Sequence, residues 1–420
     1  MEHQKHIVVI GGGIIGACTA LELVERGHRV TILEPDQPGG PQAASYGNGA
    51  FISPASIIPM SVPGLWRKVP GYLFDRNGPL SIEPLSLPRL MPWLWRFLNA
   101  GRTQAKLRYT ARALNALLQN GVARHQALAQ KIGHADLIRQ DGLLYVFPDR
   151  AAFEAETTTW SLRRELGVNC RELGHAELKE LEPTLSDHYR FGVLVAEGGQ
   201  CTDPGRYTAS IIAYARKLGA DYVTRRASGI VQEGGQVTGV RHEGGVLACD
   251  MAVVAAGIHS ADIARSVGDK VPLEAERGYH IEVVDPNVTP SRPVMPSDGK
   301  MANTMVAGRL RASGQVELSS TEAPPNWHRA DVLLGHLKAT YPDLKVTEGA
   351  LRRWQGNRPS TPDGLPVIGP SRRCSGLFHA FGHGHVGLNT APATARLLGD
   401  LLENKRPEID AAPYSISRFG

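Results

Sequence analysis

Ile7, Val8, Val9 and Ile10 make an apolar, largely β-branched run, and a helical period follows over residues 14–26, with Ala17, Ala20, Leu21 and Val24 on one face. The stretch "HRVTILE" then reads as a second strand ending at Glu34. Strand, helix and strand in that order predict a β-α-β unit, so a parallel sheet opens the chain. Residues 229–257 alternate in short strands broken by "EGGQ" and "EGG", which predicts an antiparallel meander feeding the apolar strand "MAVVAAG". A helix-like run, "HSADIARSVG", follows. Between these blocks lie a proline-rich stretch over 54–92, long amphipathic helices over 103–132 and mixed strands over 278–319. None of them continues the parallel sheet, so the pattern predicts a nucleotide-binding domain in separated pieces with a second domain inserted twice.

A chain of 420 residues has room for two or three domains. With 42% hydrophobic and 21% charged residues it has ordinary globular composition, and a net charge of +5 without a long basic run argues against nucleic-acid binding. Cys18, Cys170, Cys201, Cys249 and Cys374 are scattered with no C-x-x-C pair, which argues for a reducing compartment and against a structural metal or disulfide framework. The first strand begins too early to leave room for a secretory leader, so a cytoplasmic protein is expected. No run approaches the roughly 18 apolar residues needed to span a bilayer.

The chemistry-bearing signal is "GGGIIG", where Gly11, Gly13 and Gly16 form G-x-G-x-x-G between a predicted strand and helix. The first glycine permits the tight turn, the second lets a pyrophosphate approach the backbone, and the third allows close packing of helix on strand. Ile14 and Ile15 open the helix beside that pyrophosphate, and Glu34 ends the second strand, placed to accept hydrogen bonds from a ribose. This predicts dinucleotide binding without separating NAD from FAD. Three further stretches add to it: "AASYGNGAF", with Ser45, Asn48 and Gly49; "VVAAGIHS", with Ala256 and Gly257; and "AFGHGHVGLNTAPATARLLGDLL", whose glycines precede a helix. A bare backbone aimed at a helix N-terminus suits an anionic or electron-rich group. Together these form the pattern of a flavin enzyme.

The chain resembles the D-amino-acid oxidase/dehydrogenase superfamily of FAD flavoproteins, which includes glycine oxidase, sarcosine oxidase and the bacterial D-amino-acid dehydrogenases. The resemblance rests on six motifs in order, from "IVVIGGGIIGACTALELVERGHRVTILE" through "DPGRYTASIIAYARKLGA", "VVAAGIHS", "GRLRASGQVEL" and "NRPSTPDGLPVIG" to "GHGHVGLNTAPATARLLGDLL". The forms "GRLRASGQVEL" and "GHGHVG" look most like the dehydrogenase branch, including enzymes acting on D-proline and hydroxy-D-proline. It implies an α/β fold, a Rossmann-like FAD-binding domain over residues 1–58, 199–270 and 350–420 with an inserted α+β substrate domain over 59–198 and 271–349. Gly382, His383, Gly384, Val386 and Gly387 would then meet the pyrimidine end of the flavin, where the helix N-terminus stabilises the charge gained on reduction.

By the same resemblance, Arg358 would clamp the substrate carboxylate, and His385 falls where glycine oxidase has a further arginine. Tyr279, Arg309 and Arg311 are weaker candidates on strands of the inserted domain. The α-hydrogen of a small D-amino or imino acid would leave as hydride for flavin N5, and the imine would hydrolyse to a keto acid or persist as a cyclic imine. No histidine–cysteine metal spacing appears. Sarcosine oxidase carries a lysine for oxygen in a stretch resembling "GRLRASG", where this chain has Arg309 and Arg311, and a flavin-attaching cysteine where this chain has none near Gly356. Those departures predict non-covalent FAD and a quinone or other electron-transfer partner. "LPRLMPWLWRFLNAGR" mixes Trp93, Trp95 and Phe97 with Arg89, Arg96 and Arg102, a composition suited to peripheral contact with the inner face of the cell membrane. Three alternatives stay open: an oxygen-using oxidase, the flavin-bearing subunit of a hetero-oligomeric opine-oxidase-like complex, and an NAD-dependent dehydrogenase resting only on the shared glycines. A homo-oligomer is equally compatible with the sequence.

Overall fold

The computed structural model describes residues 4–420. The strands His6–Ile10, Arg29–Glu34, Asp221–Thr224, Met251–Val254 and Leu377–Phe381 form a parallel sheet, closed at one edge by the antiparallel strand Val367–Pro370. Alternation along the first strand sorts its side chains between two cores. Ile7 and Val9 join helices Ile14–Glu25, Pro204–Lys217 and Gly387–Leu402, while Val8 and Ile10 join Val237, Val240 and Ile263 from the meander and the short helix Ser260–Arg265. Sequence-distant pieces therefore share one sheet because each buries an apolar strand there.

The larger sheet runs Leu351–Ser360, Glu274–Val283, Arg309–Leu318, Ala302–Val306, Val294–Pro296, Leu143–Phe147, Phe191–Val195 and Cys170–Leu173, with Leu80–Ile82 pairing off Arg309–Leu318. Helix His328–Thr340 covers one face, where Tyr279, Ile281, Val283, Leu310 and Ala312 meet Leu333 and Leu337. The opposite face looks toward the parallel sheet. Strand Leu351–Ser360 pairs along its whole length with Glu274–Val283, so the return to the parallel sheet follows Ser360 instead of beginning at 350. The amphipathic helices expected over 103–132 are Gln104–Leu118 and Gly121–Lys131, separated where Asn120 adopts a left-handed turn with φ 56°. Among the described residues no helix is long and apolar enough to cross a membrane.

Candidate functional site

A cavity of about 1420 Å³ lies between the two sheets. It exceeds the roughly 300–1,000 Å³ of ordinary small-molecule pockets, so it has room for a dinucleotide and a substrate together. Gly11, Gly13, Ile14, Ile15, Glu34, Ser45, Asn48 and Gly49 line it from one side, with Ala256, Gly257, Gly382, His383, Gly384, His385, Val386, Gly387 and Arg358 around the rest.

The glycine turn is built as the spacing requires. Gly11 sits at φ 108°, and a Cβ there would collide with the carbonyl of Ala255, just past the end of the neighbouring strand; a Cβ on Gly16 would collide with the carbonyl of Gly11. Gly16 is thus a packing residue and does not line the cavity. Helix Ile14–Glu25 starts at Gly13 with no side-chain cap and no acidic residue in its first turn, although Ser45 Oγ accepts from the Ile14 N–H at 2.9 Å. Glu34 accepts from the Gly12 N–H at 2.6 Å. Burial raises its carboxyl above the usual range, against the hydrogen bonds from Gly12 and Asp36. Asn48 spends its amide on its own turn, donating to Ser45 O and accepting from the Ala50 N–H, so the loop's shape is what it contributes.

At the other end, helix Gly387–Leu402 also begins without a side-chain cap or a first-turn acid. The His383 ring bonds Thr394 Oγ1 at 3.1 Å inside the fold, and burial lowers it to about 3. It is neutral and packs the loop. Two uncapped helix starts facing one cavity, a glycine turn with no room for side chains and a strand-end carboxylate fit a dinucleotide with its anionic middle at one helix and an electron-rich ring at the other.

The FAD-dependent oxidoreductase family matches residues 6–401. The chain belongs to this family. FAD is therefore its cofactor, and the chain is an FAD-dependent oxidoreductase. It is 44% identical over the full length of both chains to a D-amino-acid oxidase of Bradyrhizobium diazoefficiens. It is 30% identical, across 99% of this chain and all of the other, to a D-amino acid dehydrogenase of Rhizobium rhizogenes. In fold it matches glycine oxidase from Geobacillus kaustophilus with a TM-score of 0.76 at 22% identity, covering 99% of each chain. L-proline dehydrogenase from P. horikoshii also gives 0.76, at 19% identity over 100% of this chain and 98% of the other.

In this FAD-dependent oxidoreductase the substrate-side residues divide by strand alternation. From Tyr279 to Val283 the odd positions face helix His328–Thr340, while the even positions Glu276, His280 and Glu282 lie on the opposite, cavity-side face. Tyr279, an expected substrate contact, is odd, and it is 0% exposed, donating its hydroxyl to Glu317 and accepting from the Asn326 N–H at 3.0 Å. It does not line the cavity. Arg311, also an expected contact, is 1% exposed and paired with Glu282 at 2.7 Å, while its Nη1 donates to Tyr46 O and Asn48 O. It braces the loop that forms the cavity wall. Arg309 is held by the same carboxylate at 2.7 Å.

Arg358 does reach the cavity. Its Nη1 donates to Gln315 O at 2.9 Å and Nη2 to Gly314 O at 3.3 Å, which fixes the guanidinium plane and leaves further N–H groups for a carboxylate. The sequence did not single out three further residues of this site. Gly278 supplies the floor, since a Cβ there would run into the guanidinium. Glu276 stands directly opposite Arg358 in the strand register and lies 3.5 Å from His385 Nδ1. Lys300 is the cavity's lysine among the described residues, and it lies upstream of the "GRLRASG" stretch. The period-2 pattern of "EAERGYHIEV" carried the signal for Glu276, because Glu276, His280 and Glu282 alternate with Tyr279, Ile281 and Val283 after a single break.

The ribose contact expected of Glu34 is open to direct test. Glu34→Arg replaces an acceptor with a cation beside the Gly12 turn, so the flavin-to-protein ratio of purified protein should fall at least about tenfold, with Glu34→Gln intermediate. Full flavin loading of the arginine variant would remove Glu34 from the ribose site.

Proposed function

We propose that this chain oxidises a small D-amino or imino acid, D-proline and hydroxy-D-proline among the candidates, and passes the electrons to a quinone or other non-oxygen acceptor. The observation that carries the reading is Arg358, a cation fixed by two backbone carbonyls on the wall of the FAD-sized cavity, suited to the two oxygens of a carboxylate. Two of its sequence relatives, named a D-amino-acid oxidase and a D-amino acid dehydrogenase, support the substrate class. FAD, when bound, supplies the two-electron acceptor for the α-carbon–hydrogen bond. The chain's own residues hold the carboxylate through Arg358 and keep the His385 imidazole beside it, partly exposed to the cavity, its pKa lowered by desolvation within the site and by the Arg358 charge. Non-covalent attachment is part of the proposal: Cys374, the cysteine nearest in sequence to Gly356, sits in an apolar cluster with Val237, Val240 and Leu377.

The acceptor reading rests on the cavity mouth. Helix Leu87–Ala100 buries Leu90 and Trp93 but leaves Trp95 68% exposed, and Met60, Leu87, Met91 and Leu98 are exposed around it. All five also line the cavity, so an apolar surface is continuous with the site. Such a rim suits an apolar carrier in a membrane surface, with Arg96 and Arg102 toward anionic headgroups, whereas Arg89 is paired with Glu274 at 2.7 Å. Oxygen is the second reading, favoured by Lys300 on the cavity wall and by the 44% identical relative named an oxidase. The test is turnover of D- and L-amino acids with a dye, with quinone-loaded anionic vesicles and with air alone. Small D-enantiomers should reduce the dye at least about tenfold faster than L-enantiomers, vesicles should accelerate turnover, and peroxide should be minor. Preference for L-enantiomers overturns the substrate reading, and stoichiometric peroxide overturns the acceptor.

A further inference from the structure

We propose that Glu276 is a specificity-determining residue that makes the Arg358 site select zwitterions over simple carboxylates, by accepting a hydrogen bond from the substrate's amino nitrogen at its Oε2. The inference rests on the proposed function, since it takes the substrate carboxylate to lie at Arg358. Glu276 and Arg358 are cross-strand partners, so both side chains rise from the same face of the sheet. Bare Gly278, two residues along that face, lets the guanidinium fold down over it, away from Glu276, and the carbonyls of Gly314 and Gln315 fix it there. A cation and an anion thus stand side by side on the cavity wall without forming a direct ion pair, because the guanidinium is bonded to the Gln315 and Gly314 carbonyls instead.

Glu276 is 5% exposed, and its Oε2 has no hydrogen-bond partner. A buried carboxylate oxygen left unpaired is costly, so a ligand donor at that position is worth more than one in water. The groups facing it are few: Arg358 across the strand pair, His385 from the glycine loop at 3.5 Å and the Ser360 hydroxyl. Burial pushes the Glu276 carboxyl up and Arg358 draws it down, while desolvation and the same arginine lower the His385 pKa and favour its uncharged form. An α-amino acid, with carboxylate and amino nitrogen on one carbon, offers the complementary pair of charges. A carboxylate lacking nitrogen offers only one and must sit beside Glu276.

The test uses two ligands of nearly equal shape that cannot be oxidised at an α-carbon–hydrogen bond: 2-aminoisobutyrate and pivalate, which differ by an ammonium in place of a methyl. Their dissociation constants are measured by perturbation of the flavin spectrum in FAD-loaded protein. Wild type should prefer 2-aminoisobutyrate by about ten- to hundredfold, and Glu276→Gln should bring the ratio close to one, chiefly by weakening 2-aminoisobutyrate. Equal affinities in wild type overturn the proposal without any variant being made, and so does a ratio that Glu276→Gln leaves unchanged. Arg358→Ala separates this from the underlying reading. If that variant binds both ligands as wild type does, the carboxylate is not at Arg358 and both proposals fail; if it loses both while Glu276→Gln keeps the ratio, only the role of Glu276 fails.

Discussion

Arg358→Ala should lower kcat/KM by about 30- to 1,000-fold, the equivalent of roughly 2–4 kcal/mol for a charge-assisted pair in a desolvated site. FAD content should stay at the wild-type level, because Arg358 is anchored to Gly314 and Gln315 on the substrate-side sheet and not to the glycine turn around Gly11. Arg358→Lys should recover only part of the loss: an ammonium keeps the charge but not the planar two-point grip, and it cannot hold both backbone carbonyls at once. A displaced carboxylate also displaces the α-carbon, so the limiting rate of flavin reduction should fall along with affinity. Anaerobic stopped-flow reduction at several substrate concentrations, with all three proteins equally loaded with FAD, makes the measurement. Wild-type rate and affinity in the alanine variant would make Arg358 a structural arginine.

The cofactor side of this molecule was legible because its chemistry is backbone chemistry. The glycines at 11, 13 and 16 are required by turn and packing geometry that leaves a fixed spacing, and the parallel sheet announces itself through β-branched runs such as "IVVI". The substrate side was less legible because there the decisive variable is which face of a strand a residue occupies. Tyr279 and Arg358 both resemble substrate contacts by residue type. Parity sends Tyr279 to the helix-covered core and Glu276 to the cavity, and parity becomes functional only once the partner layer on each face is known. Arg311 shows a second limit. A buried arginine on a strand reads as a ligand contact until its carboxylate partner, Glu282, twenty-nine positions away in sequence, appears beside it. Nothing local in the sequence pairs them.

That pairing carries the other large expected effect. Arg311→Ala should destabilise the protein by about 3 kcal/mol or more, the lower part of the range for breaking a buried ion pair, because Arg309 still holds the other Glu282 oxygen. The consequence should extend to the cofactor. Arg311 Nη1 holds the carbonyls of Tyr46 and Asn48 at 3.0 and 2.9 Å, and His280 and Thr304 hold those of Gly47 and Gly49, so the arginine supplies two of the four anchors of the cavity-wall loop. FAD affinity should therefore fall by about an order of magnitude, a loss of roughly 1.4 kcal/mol at that site, and FAD should protect the variant against heat less than it protects wild type. The pH dependence has a defined sign. Burial raises the Glu282 carboxyl, but Arg311, with smaller help from His280 and Arg309, outweighs it and leaves the group below its usual range, so its contribution is complete above the ordinary carboxylate range and is lost as pH falls through the lowered folded value. The stability gap between wild type and Arg311→Ala should thus be widest near neutrality and narrow in acid. Melting curves of apo and FAD-loaded protein across pH, with FAD titrations of both, test each part. A lower apo melting temperature with unchanged FAD affinity would confine Arg311 to the core, and equal melting at neutral pH would remove the ion pair from the account of stability altogether.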